Sequence, residues 1–497
     1  VIRQITSTLA ANLWTALISV LFVPIYVKRL GVEAYGIVGV FVTIQNLSRL
    51  FDLGIPVLVN RELARMSTLT GPSQAKGFVR WLELIYWGLA ILVGFVLLCL
   101  IPFMAKGWLR PVTLNPESLR LSLQLIAVVT VFQWPTSLYT GGLLGLQKQS
   151  SLAAVQSVVA TVRAVGAWAL LEYRPTLEVF FLWQLGITVV STALFRRMLK
   201  TALPSGDPAS VSWGAVVGKL RLALSLSGIG ILSIPLLQMD KVLLSRLLTL
   251  ENYGRYMLVC TITTSLYMVI NAVYNTVFPR LTRAAALVST DLLESEYLRG
   301  TRLMAALLFP VLVVLVLFPT EVLTAWTGSG ILDGSTALVL SLLAVGTALH
   351  GLAHLPGALQ FACGETRLSL LVNLFSLFLC APLIWLLTRS FGILGGGMYS
   401  VALNLGMLVV HVGLMHRRLL PAARIAWLKA NLGLLLVVVA GPLAARWLVP
   451  PPAGRLSSLA VLALVFLIAA VASASATGEF RKMILRRMGW GTPASTG

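Results

Sequence analysis

The sequence predicts an all-α, polytopic membrane protein of about fourteen transmembrane helices. Two six-helix lobes related as a pseudo-twofold parallel repeat are followed by two extra helices. Three observations predict this. The composition is too apolar for water, apolar stretches of bilayer-spanning length fill the 497 residues almost end to end, and a set of motifs recurs at one offset.

The chain is 58% hydrophobic and 11% charged, with a mean hydropathy of +0.90. Soluble domains carry about 25% charged residues, and exposing this much apolar surface to water would cost more than any fold gains. Lipid is therefore the solvent. The net charge of +21 does not mark a nucleic-acid binder, because the basic residues sit in short runs between apolar stretches and form no compact basic domain. Cys99, Cys260, Cys363 and Cys380 lie in or beside apolar stretches without a pairing pattern. They read as small buried hydrophobes, not as a disulfide framework or a metal site.

Expected spans cover 5–27, 34–58, 78–102, 119–143, 150–172, 177–196, 222–245, 253–277, 300–325, 336–361, 367–388, 392–415, 428–449 and 456–476. The first is too long for the apolar core of a secretory signal and is expected to remain as a helix. Pro24, Pro56, Pro135, Pro235, Pro310, Pro356 and Pro382 fall inside or near span ends and predict kinks, since neighbouring helices can satisfy the backbone groups a proline frees. With the N-terminus inside, the inner segments hold most of the 38 Lys and Arg, including Arg61, Arg65, Arg196, Arg197, Lys200, Arg417, Arg418 and the tail Arg481, Lys482, Arg486 and Arg487. That bias puts both termini in the cytoplasm. The largest inner loop, about 197–219, contains Pro204-Ser-Gly-Asp-Pro208 near mid-chain. The expected organisation is a first lobe over 1–200, a linker over 201–220, a second lobe over 221–416, and two further spans with a basic tail over 417–497.

The loop after span one reads Arg29-Leu-Gly-Val-Glu33-Ala-Tyr35-Gly36, and the loop after span seven reads Arg246-Leu-Leu-Thr-Leu-Glu251-Asn-Tyr253-Gly254. Tyr35 and Tyr253 are 218 residues apart, as are Arg65 and Arg283. Pro135 with Gly145, and Pro356 with Gly364, repeat at nearly the same offset. Six spans separate the copies, so both halves face the same way, an arrangement found in transporters.

Pro24-Ile-Tyr-Val-Lys-Arg-Leu-Gly31 through Gly36, Asp52-Leu-Gly54, Asn60-Arg-Glu-Leu-Ala-Arg65, Asp240-Lys-Val-Leu-Leu-Ser-Arg through Gly254, and Gly364-Glu-Thr-Arg367 follow in order. Over about the first 410 residues this series resembles the polysaccharide transporter family, the Wzx-type oligosaccharide flippases of the multidrug/oligosaccharidyl-lipid/polysaccharide superfamily. The resemblance implies two six-helix lobes in a V plus two C-terminal helices. It also implies an activity, the translocation of undecaprenyl-diphosphate-linked oligosaccharide across the bacterial inner membrane for O-antigen, capsule or exopolysaccharide export. The implied partners are the lipid-linked oligosaccharide, membrane lipids and the polysaccharide polymerase or chain-length machinery, with no cofactor. Multidrug extruders of the superfamily often carry an acidic residue in the first helix; here that span has none, and the polar residues along it include Asn12, Thr15 and Ser19. The arginine-rich pattern of lipid II flippases around span one is also not found.

Charges within spans normally face a partner or a wet cavity, because a charge in hydrocarbon costs at least about 2.5–3.5 kcal/mol. Arg49 and Asp52, three apart in span two, can pair. Arg163 sits near the middle of span five with no acidic neighbour in sequence, and Asp240-Lys241 in span seven point about 100° apart, which favours partners on other helices. Arg163, Arg49 and Lys241 are the expected cationic lining of a cavity for a diphosphate and acidic sugars. Asn12, Gln45, Asn46, Gln238, Asn271 and Asn275 are the expected sugar-binding amides, and Asp52 and Asp240 are the ion-coupling candidates. For all of them the alternative is helix–helix hydrogen bonding or ion pairing. His350 and His354 lie four apart, but no Glu follows His350 as a zinc-protease motif requires, and no metal is expected. No phosphate-binding loop with Lys-Ser/Thr is present. No large external loop is available for catalysis, so an enzyme is not expected. The alternatives to a flippase are a multidrug or small-cation antiporter and a multispan glycan polymerase or ligase.

Overall fold

A computed structural model describes residues 2–52, 54–68, 72–203, 213–328, 333–450, 452 and 454–477. The side chain of Asn12, the Pro204–Pro208 segment and the basic tail from Arg481 to Arg487 lie outside the described residues. Every described element is helical. Contacts divide the chain into two compact units, Val1–Leu258 and Val259–Gly497.

The first unit contains α1 (Ile2–Leu30), α2 (Val32–Ser48), α3 (Ile55–Thr68), α4 (Pro72–Phe103), α5 (Pro116–Gln133), α6 (Pro135–Gly145), α7 (Gln149–Tyr173), α8 (Leu177–Ala202), α9 (Trp213–Leu247) and the first part of α10 (Leu250–Thr264). Helix α1 packs on α7, α5 on α8 and α3 on α6. Its core joins Leu63, Phe78, Leu82, Tyr86, Leu138 and Tyr139 with Val216 of α9. The linker between 201 and 220 is thus not where contacts separate, because α9 and the first part of α10 pack with the first unit.

The second unit contains the rest of α10 and α11 (Leu266–Ala286), α12 (Thr290–Leu317), α13 (Pro319–Thr327), α14 (Gly334–Ala362), α15 (Thr366–Phe391), α16 (Ile393–Arg418), α17 (Ala423–Leu448) and α18 (Arg455–Ala476). Helices α14 and α16 form its centre, and the two C-terminal helices, α17 and α18, pack on α12 through Ala305, Phe309, Leu434, Val438 and Ala469.

Twelve described helical stretches are long and apolar enough to cross a membrane. Of the fourteen expected spans, the second and seventh are the two not among them. The second is broken into α2 and α3 by a 3-10 turn, Arg49–Asp52. The seventh, α9, is 35 residues long, but many of its side chains lie outside the described residues. Spans four and eight are broken as well, at Trp134–Pro135 and at Ser265. The breaks of spans two and eight occupy corresponding places in the two sequence copies. Pro56 and Pro135 open α3 and α6, where a missing N–H costs nothing, whereas Pro24, Pro310, Pro356 and Pro382 lie inside their helices.

The repeated Tyr-Gly motifs meet each other. A Cβ on Gly254 would stand 2.1 Å from the carbonyl oxygen of Val32, and one on Gly36 would stand 2.5 Å from that of Leu250. Only glycine allows α2 and α10 to approach this closely. Thr43 and Tyr253 share a hydrogen bond of 3.1 Å one layer deeper, and Leu250 N donates to Arg110 O. Glu33 of the first motif accepts hydrogen bonds from the backbone N–H groups of Val112 and Thr113 and from the Thr113 hydroxyl. Burial opposes its charge, but these bonds outweigh it and hold the carboxyl below its usual range.

Gly254→Ala should therefore cost about 1–3 kcal/mol by overpacking and lower the melting temperature in detergent. Gly218→Ala, at a position with open space around it, should not. Equal melting of the two variants would contradict the close helix crossing.

Candidate functional site

The break in span two creates the site. Gly54, at φ +72°, takes the left-handed conformation that glycine adopts without strain, and Pro56 sits in the first turn of α3. Between α2 and α3 the 3-10 turn carries Arg49 and Asp52. Irregular backbone within a membrane span is tolerated where it lines a cavity, and this turn lines one.

Asp52 Oδ1 accepts hydrogen bonds from Trp134 Nε1 at 2.8 Å, Ser137 Oγ at 3.1 Å and the Tyr86 hydroxyl at 3.3 Å. The expected Arg49–Asp52 ion pair is not made among the described residues. The carboxylate is turned to α4 and to the α5–α6 break, which already supply three donors, and Arg49 remains exposed.

Arg163 is placed by the crossing of α7 and α8. Trp183 of α8 lies against Gly166, where a Cβ would stand 2.0 Å from its ring. Its Nε1 donates to the carbonyl of Arg163 at 2.9 Å. The guanidinium reaches Thr188 Oγ1 at 3.5 Å, while its Nε is buried and makes no hydrogen bond. No carboxylate pairs with Arg163 among the described residues.

Arg163, Arg49 and Gln45 line one cavity of about 600 Å³ inside the first unit. No Asp or Glu contributes to its walls. A smaller cavity of about 390 Å³ shares Gln45, Arg49, Gln133, Thr136 and Gln156 with it and ends at Asp52. Gln45 Nε2 donates to Gln133 Oε1 across this junction. The arrangement is a polar space with two guanidinium groups, several amides and hydroxyls, and a carboxylate at one end. It suits a ligand that combines anionic charge with many hydroxyls.

Six polar cavity residues were not singled out from the sequence: Gln133, Thr136, Gln156, Gln184, Thr188 and Ser191. Each is a polar residue inside an apolar span, which was the available signal; what was missing was which face of each helix turns inward.

The other expected residues lie elsewhere. Lys241 pairs with its neighbour Asp240, with Nζ 3.0 Å from both carboxylate oxygens, and also donates to Leu237 O. The angular offset, expected to favour partners on other helices, does not prevent this pairing: the long lysine stem bends back along α9 and reaches its neighbour. Tyr256 of α10 donates to Asp240 at 2.7 Å. Gln238 has a buried Oε1 without a hydrogen bond. Asn46 is half-buried outside the cavity walls, and Asn271 and Asn275 are exposed on α11. The His350 and His354 rings lie 4.7 Å apart and pack against Tyr267 and Tyr274.

The second unit holds a different cavity, about 690 Å³, among α12, α14, α16 and α17. Its walls are mostly leucine and valine, with His416, Arg424, Trp427 and Asn431 also among them. Trp427 Nε1 and Asn431 Oδ1 there are buried without a hydrogen bond.

The family model described as polysaccharide biosynthesis protein matches residues 1–285. No protein of curated function matches in sequence. Among solved structures, the fold is similar to the lipid II flippase MurJ in an inward closed conformation, with a TM-score of 0.71 and 14% identity over 98% of this chain and 100% of that one. It is also similar to an inward-facing multidrug resistance MATE family transporter of the MOP superfamily, with a TM-score of 0.66 and 15% identity over 83% and 96% of the two chains. A third similar structure is a MOP superfamily transporter from Pyrococcus furiosus, described as having a binding pocket of reverse polarity, with a TM-score of 0.51 and 16% identity over 86% and 94%. These relatives by fold are flippases and transporters, and the chain shares their multi-pass membrane architecture.

Trp134→Phe keeps the ring but removes a donor from Asp52. It should cost about 1.5–3 kcal/mol, the worth of a hydrogen bond to a charged group, read as a lower melting temperature. Asp52→Asn keeps an acceptor and should cost less. The reverse order would show that Asp52 is not held by these donors.

Proposed function

Because the chain belongs to the polysaccharide biosynthesis protein family, we propose that it is a flippase that moves undecaprenyl-diphosphate-linked oligosaccharide across the bacterial inner membrane by alternating access. Both termini are cytoplasmic in this reading. The observation that carries it is the pair of arginines, Arg163 and Arg49, in an amide-lined cavity whose walls hold no carboxylate. A diphosphate supplies the charge that this cavity lacks, and glutamine and threonine side chains exchange hydrogen bonds with sugar hydroxyls. Arg163 and Arg49 bind the phosphates; Gln45, with Gln133 and Gln156 beside it, faces the sugars.

Carrying the glycan through such a cavity avoids its passage through hydrocarbon, where each unpaired hydroxyl costs several kcal/mol. The prenyl chain has no such need and stays in the bilayer. Asp52, at the end of the polar space and within reach of three donors, is the better placed of the two candidates for coupling to an ion gradient. Asp240 already holds Lys241. An exporter of organic cations would need a carboxylate where this cavity presents arginine.

Flipping of lipid-linked glycan in proteoliposomes tests the reading. Arg163→Ala and Arg49→Ala should each slow it about tenfold or more, as loss of a charged hydrogen bond implies, and Arg163→Lys should recover part of the rate. Native rates in both alanine variants would remove the cavity from the pathway. Efflux of a small organic cation without glycan flipping would identify an antiporter instead.

A further inference from the structure

A second concentration of positive charge lies apart from the arginine cavity, where the first turns of α4 meet the last turns of α8. Lys76, Arg80 and Glu83 of α4 and Arg196 and Lys200 of α8 line a basin of about 600 Å³. Four cations share it with one carboxylate. Glu83 is fully engaged: it takes Arg196 on Oε1, the Tyr139 hydroxyl at 2.8 Å on the same atom, and Lys200 at 3.7 Å on Oε2. Arg80 forms no ion pair among the described residues. Arg80, Arg196 and Lys200 alone outnumber the one carboxylate, so the basin carries a surplus of positive charge even with Glu83 ionised.

One wall is apolar. Leu84 and Trp87 line the basin beside the charges, and from Leu84 an exposed ridge continues up α4 through Ile91 and Phe95, each about 60% exposed. These three positions fall on one face of the helix. A charged basin that opens directly onto a lipid-facing apolar ridge matches a molecule with a phosphate at one end and an acyl chain at the other. A soluble phosphate would use the charges and leave the ridge without a role.

We propose that this basin is a binding site for an anionic phospholipid, with the phosphate held by Lys76, Arg80 and Lys200 and an acyl chain laid along Leu84, Ile91 and Phe95. The site is independent of the transported cargo. It would fix the depth of α4 and α8 in the leaflet whose headgroups it holds.

Native mass spectrometry of the full chain, released from nanodiscs of equal phosphatidylglycerol and phosphatidylcholine, reads the site directly. The native protein should retain phosphatidylglycerol in preference to phosphatidylcholine. The double variant Lys76→Gln, Arg80→Gln should lose that preference about tenfold or more, from the usual contribution of basic residues to anionic lipid binding. Glu83→Gln removes the competing anion and should raise the preference, a change of opposite sign that general destabilisation would not produce. Millimolar inorganic phosphate should fail to displace the lipid. Unchanged retention in the double variant, a fall in Glu83→Gln, or displacement by phosphate would each overturn the assignment.

Discussion

An arginine held among membrane helices without a carboxylate is the constraint on which the first unit is built. Left in hydrocarbon, its charge would cost at least about 2.5–3.5 kcal/mol. The cost is avoided by surrounding Arg163 with polar groups and space instead of neutralising it. Thr188 reaches the guanidinium, Trp183 fixes the backbone that carries it, and glutamines from four helices, α2, α5, α7 and α8, complete the walls. A buried Glu–Arg pair would have been the simpler solution for stability alone. Buried carboxylates elsewhere in the chain do take cationic partners: Glu83 with Arg196, Glu62 with Lys219 and Glu321 with Arg446. Arg163 has no such partner among the described residues.

The broken spans follow from the same constraint. A continuous helix from 34 to 58 would satisfy its own backbone but could not turn Asp52 toward Trp134, Ser137 and Tyr86 while leaving Arg49 open to the cavity. The 3-10 turn does both, with Gly54 and Pro56 restarting the helix beyond it. The break at Pro135 meets it from the other side and supplies Gln133, Trp134 and Thr136. Irregular backbone at membrane depth is expected where a site is being built, and the polar cavities of the first unit lie beside two such breaks.

Much of the fold was legible in the sequence, because lipid imposes length and composition on every span. Each expected stretch corresponds to a helix or to two consecutive ones. The repeated Tyr-Gly motifs identified Gly36 and Gly254 as equivalent, though not that they would touch. The site was legible in part. Arg163, Arg49 and Gln45 stood out as polar residues in apolar surroundings, and they share one cavity. Gln133, Gln156 and Gln184 carried the same signal but needed the rotation of each helix, which packing sets and hydropathy does not. The pairings failed for a related reason. Spacing of three suggested Arg49 with Asp52, but donors on other helices were nearer to the carboxylate. Angular offset argued against Asp240 with Lys241, but a flexible lysine stem closed the gap.

The central claim is that this cavity is wet and net positive. It is tested most directly by replacing Gln156 with cysteine in a chain freed of Cys99, Cys260, Cys363 and Cys380, and by comparing its reaction with water-soluble thiol reagents of equal size and opposite charge. Both reagents should reach the thiol, and the anionic one should react about tenfold faster, as focusing of charge in a cleft implies. A cysteine that neither reagent reaches, or that reacts no faster with the anion than with the cation, would contradict the account.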